Sequence, residues 1–124
     1  MAIKLSARQQ AQIAWLETVP RKYERLVRAV EQLGTNQADD ALVRQTQRLL
    51  EEMKSQASQL GLGALGDAYG IMATMLRRAG GHQTKVRGLR EMLAGAKINF
   101  DGALRAAKQP EPEDRAPESG PTAP

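Results

Sequence analysis

The residues best placed to do chemistry lie between Arg44 and Gly61. Arg44, Arg48, Glu51, Ser55 and Ser58 recur at steps of three and four, so a helix would carry them on one side, with Lys54 next to Glu51. Such a strip joins cations, a carboxylate and two hydroxyls. Glu51 could pair along the helix with Arg48 and Lys54, each contact worth a few tenths of a kcal/mol. The strip could equally hold a charged partner, or be a solvated helix face; composition alone leaves both readings open. Catalysis is harder to assemble. Nucleophilic chemistry needs a base beside a serine, threonine or cysteine. The chain has no cysteine, and its one histidine, His82, follows Gly80-Gly81. Helical metal sites draw on a Glu-x-x-His spacing, and Glu51-Glu52-Met53-Lys54-Ser55 contains none. No enzyme, metal or cofactor is therefore expected.

The elements that would position this strip read as helices. Leucine, alanine and methionine supply most of the apolar content, aromatics are few, and β-branched residues never run together. Ser6 and Gln9 fit a capping box that opens a first segment running to about Glu17. Pro20 restarts the chain, with Thr18 as the expected cap. Tyr23, Leu26, Val27 and Val30 then mark one buried face, ended by Gly34. Asn36 is the expected cap of the next helix, which carries Leu42, Leu49, Leu50, Met53, Ala57 and Leu60. Two further stripes follow, from Leu65 to Leu76 and from Val86 to Leu104, separated by Gly80-Gly81. The expected helices are 20–33, 37–60, 63–79 and 83–107. Short connections and amphipathic helices imply an all-α fold. Specifically, they imply an antiparallel up-and-down four-helix bundle with a short extra N-terminal helix. Met72, Met75 and Met92 read as core filler. Gly66 and Gly70, four apart, read as points of close helix packing.

Residues 1–108 are expected to form this bundle and 109–124 a disordered tail, because five prolines fall in the latter among charged and small residues. The net charge is +4 for the chain and −2 for residues 107–124, which leaves +6 on the rest. A basic domain suits an acidic partner, nucleic acid or anionic lipid. No apolar run is long enough to span a bilayer, and the N-terminus turns polar too early for a signal peptide, so a cytoplasmic location is expected.

The segment Glu51-Glu52-Met53-Lys54-Ser55-Gln56-Ala57-Ser58-Gln59-Leu60-Gly61 resembles the signature of histidine-containing phosphotransfer domains, His-x-Leu-Lys-Gly-Ser-x-x-x-Leu-Gly. Lys54 matches its lysine, Met53 its leucine, and Leu60-Gly61 its closing pair. Trp15-Leu16-Glu17-Thr18-Val19-Pro20 is similar to the family's aromatic-Leu-x-x-x-Pro entry to its first long helix. The resemblance covers about residues 10–107 and implies the same helix order. It fails at the reactive position: Glu51 stands where the family has its phospho-accepting histidine, and a carboxylate forms no phosphoramidate. Ser55 and Gln56 replace two small residues and are expected to crowd the approach of a partner. His82-Gln83-Thr84-Lys85 offers a rival match, but only one helix follows it and the Leu-Gly ending is missing. The resemblance therefore implies a non-catalytic signalling adaptor of a bacterial-type two-component phosphorelay. It would bind a response-regulator receiver domain or a histidine kinase through Arg44, Arg48, Glu51, Lys54, Ser55 and Ser58, without accepting phosphate. Two alternatives stand beside it. A nucleic-acid-binding helical domain would use Arg77, Arg78, Lys85, Arg87 and Arg90. A structural or assembly protein would use the bundle as a subunit.

Overall fold

A computed structural model describes residues 5–35, 39–78 and 81–110, the His82 side chain excepted. Five helices follow one another: α1 (Ala7–Leu16), α2 (Val19–Leu33), α3 (Asp40–Gln59), α4 (Gly63–Arg77) and α5 (His82–Ala107). No strand occurs among the described residues. The expected tail falls, from residue 111 onward, outside them.

Local chemistry sets most of the boundaries. At the start of α1 the Gln9 amide nitrogen donates to Ser6 Oγ and the Ser6 nitrogen donates to Gln9 Oε1, both at 3.0 Å, which closes the capping box. Pro20 lies in the first turn of α2, where its missing N–H costs no hydrogen bond. Thr18 precedes it but does not cap it: the Thr18 hydroxyl donates backward to the Trp15 carbonyl at 2.7 Å. The cap of α3 is Asp39 rather than Asn36, with Asp39 Oδ1 accepting from the Leu42 nitrogen at 2.8 Å; Asn36 lies outside the described residues. The end of α3 is a Schellman turn. Gly61 takes φ +78°, while Leu62 N–H reaches the Ala57 carbonyl at 2.8 Å and Gly61 N–H the Ser58 carbonyl at 3.1 Å.

The apolar stripes meet in one core. Leu26, Val30 and Leu33 of α2, Leu50 and Met53 of α3, Tyr69, Met72 and Leu76 of α4, and Leu89 and Leu93 of α5 are buried together. Contacts run α2–α3, α3–α4, α4–α5 and α5–α2, a closed ring in which α2 and α4 stand diagonally opposite. Among the methionines Met72 is core, whereas Met75 and Met92 are half-buried at its edge.

α1 closes one end of the ring with two buried glutamines. Gln12 Nε2 donates to the Leu60 carbonyl at the end of α3 at 2.7 Å. Gln9 Nε2 donates to the carbonyls of Ala107 (3.2 Å) and Gln109 at the end of α5. Helix C-termini leave carbonyls without intrahelical partners, and these amides supply the missing donors. Gln109 was expected to pack against nothing; this contact brings it into the folded unit.

Candidate functional site

The strip expected on α3 is present and exposed. Arg44, Arg48, Glu51, Lys54, Ser55 and Ser58 are all solvent-accessible. Four of them, Glu51, Lys54, Ser55 and Ser58, line one cleft of about 430 Å³ together with Gly70, Ala73, Thr74 and Arg77 of α4. Arg44 and Arg48 continue the strip along the earlier turns of α3 without lining the cleft, and neither forms an ion pair among the described residues.

Gly66 and Gly70 of α4 lie along this seam. A Cβ at position 66 would stand 2.9 Å from Ser58 Oγ and 3.2 Å from the Lys54 carbonyl oxygen, so α4 lies directly against the α3 backbone. At position 70 a Cβ would stand 3.1 Å from Lys54 Cδ, because the lysine stem crosses that glycine. Gly66 thus serves helix packing, as the spacing suggested, whereas Gly70 makes room for the Lys54 side chain. Lys54 forms no hydrogen bond or ion pair among the described residues, so its ammonium is available at the cleft.

Glu51 departs from expectation. Its carboxylate accepts from Arg77 Nη1 on α4 at 2.7 Å and from Gln47 Nε2 at 3.3 Å, not from Arg48 or Lys54. Arg77 is favoured because α4 approaches so closely here that a single extended side chain spans the seam. Gln56 departs further. It sits five residues after Glu51 and therefore off the strip, turned toward α1 and α2. Its Oε1 accepts from Trp15 Nε1 at 2.7 Å and from Lys22 Nζ at 3.4 Å, and Lys22 lies 5.5 Å from the Trp15 ring centre. Gln56 consequently does not stand on the Glu51 face, whereas Ser55 does, as one of the residues lining its cleft.

No family model, no curated protein and no solved structure matches this chain.

A second cleft, of about 550 Å³, adjoins the first and shares Lys54, Gly70 and Thr74 with it. It adds Ile71, Met75, Met92, Asp67 and Arg78. Ile71 is 55 % exposed, one of two large apolar side chains in that state among the described residues. The α3 strip therefore grades into an apolar patch edged by Lys54 and Arg78, which the sequence pattern on α3 alone did not reveal. The cations of the nucleic-acid alternative are divided differently. Arg77 is held by Glu51, Arg90 by Glu31, and Lys85 Nζ donates to the Leu76 carbonyl at 3.1 Å, ending α4. Arg78 and Arg87 remain unpaired among the described residues. No cluster of three or more histidine, cysteine or acidic side chains able to hold a metal occurs among those residues, and no described helix is long and apolar enough to cross a membrane.

Proposed function

We propose that the chain is a non-catalytic adaptor of the cytoplasm that holds an acidic signalling protein on the joint face of α3 and α4. The observation that carries this reading is the convergence of Glu51, Lys54, Ser55 and Ser58 on one cleft with Arg77, continuous with the exposed Ile71 patch. A polar rim around an exposed apolar anchor is the anatomy of a protein-docking surface. The helix order and the Lys54, Leu60-Gly61 and Trp15-to-Pro20 matches favour a phosphotransfer-like, up-and-down bundle. Its partner in that case is a receiver domain or a histidine kinase. Receivers of that class offer an acidic pocket, which complements Lys54, Arg78 and the free Arg44 and Arg48. The carboxylate of Glu51, engaged by Arg77, accepts no phosphoryl group as a phosphoramidate.

The test is direct binding to purified receiver domains and kinases by calorimetry at low and high salt. Arg48→Glu and Lys54→Glu should each weaken binding at least tenfold at low salt, and less at high salt, because exposed charges are screened. Ile71→Asp should weaken it at both salt concentrations. Incubation with phosphorylated receivers should leave the chain unlabelled. Unchanged affinity in all three variants, or an acid-labile label on His82, would overturn the reading.

A further inference from the structure

On the other side of α4 from this face, a separate pocket of about 340 Å³ opens between α2 and α5. Its walls are Val19, Pro20 and Tyr23 of α2 and Ala96 and Phe100 of α5, and Tyr69 of α4 completes the lining. The volume lies within the range of small-molecule sites, and the walls are almost wholly carbon. The exceptions are Tyr23, which is half-buried, and Tyr69. Tyr69 is 1 % exposed, yet its hydroxyl donates to and accepts from nothing among the described residues. Buried polar groups in folded proteins nearly always have a partner, so a desolvated phenol left alone beside a pocket marks a place for one. Burial, together with the neighbouring Tyr23 hydroxyl, holds the Tyr69 pKa above the ordinary tyrosine range. The group therefore stays a neutral donor throughout the physiological range. At the rim, Lys97 and Glu24 carry opposite charges, and Glu24 also faces Arg28 at 4.0 Å, so the mouth selects for neither sign.

We propose that this pocket binds a small, uncharged, largely apolar molecule whose single acceptor oxygen, of the ketone or ester class, takes the hydrogen bond of Tyr69. The pocket shares no residue with the α3–α4 clefts, so this proposal stands or falls apart from the docking reading.

Two probes of matched shape test it: acetophenone, which carries a carbonyl, and cumene, which does not. Each is titrated into the full chain while the methyl NMR signals of Val19 and Ala96 are followed. Acetophenone should shift both signals saturably and bind about fivefold to tenfold more tightly than cumene, the increment of one neutral hydrogen bond. Tyr69→Phe removes only the unpartnered oxygen; it should keep the shifts and abolish the preference. Three results would each overturn the proposal: no saturable shift at these methyls with either probe, equal affinities on the unmodified chain, or a preference that survives Tyr69→Phe. The two-probe comparison on the unmodified chain decides the matter even where the variant folds poorly.

Discussion

The α3–α4 seam and the α2–α5 seam solve the same packing problem in opposite ways. At α3–α4 side chains are deleted: Gly66 lets the α4 backbone lie against Ser58 and Lys54, and the polar residues of the two helices become one continuous surface. At α2–α5 side chains are added: Tyr23 and Phe100 keep the helices apart around a pocket at one level, and Glu31 and Arg90 bridge them at another. Close approach yields an exposed, open face. Separation yields a pocket between helices. One ring of helices thus carries both.

The largest expected effect breaks the first seam. Gly66→Val would drive a branched side chain into the Ser58 and Lys54 backbone, and should destabilise the fold by about 2–4 kcal/mol in urea unfolding. Gly95→Ala is the matched control. Nothing lies within 4 Å of a Cβ there, in the middle of α5, so it should stabilise by roughly 0.5–1 kcal/mol. Equal costs for the two variants would show that the glycines of α4 do not set the seam.

The second seam is probed by Tyr69→Phe. Removing a buried hydroxyl that has no partner should leave stability unchanged or raise it by up to about 1 kcal/mol, seen as a melting temperature a few degrees higher. A clear loss of stability would mean that the hydroxyl is satisfied within the fold.

The contrast between the seams also explains what was legible in the sequence. Helix ends marked by backbone chemistry were read closely: Gly34, Gly61 and Gly81 bound α2, α3 and α5 within one or two residues of expectation. The start of α3 was missed by three residues because Asn36 and Asp39 are both competent caps, and only the structure shows which one accepts from Leu42. Periodicity correctly placed Glu51, Ser55 and Ser58 on one exposed strip, since that is a property of a single helix. It could not supply Arg77, 26 residues from Glu51, or Trp15, 41 residues from Gln56, because those partners depend on how helices dock. The pocket beside Tyr69 was invisible for the same reason. It is a gap between three helices and belongs to no one pattern.

The smallest effect concerns the bridge between α2 and α5. Arg90 Nε and Nη2 donate to the two Glu31 carboxylate oxygens at 2.8 and 2.6 Å. Those hydrogen bonds, reinforced by the guanidinium charge and partly opposed by desolvation, hold the Glu31 carboxyl below its ordinary value of 4.5. A carboxyl whose pKa is lower in the folded chain than in the unfolded one stabilises the fold above the ordinary value. That contribution fades as the pH falls below about 4.5 and is gone once the folded carboxyl is itself protonated. Both side chains are more than half exposed, so the contribution is small and screened by salt. Melting of the parent chain and of Glu31→Gln should accordingly differ slightly at neutral pH and low salt. The two curves should converge in strong acid, and also at neutral pH when salt is raised. Curves that stay apart in strong acid would show that Glu31 acts through packing rather than charge, and the α2–α5 seam would then be apolar along its whole length.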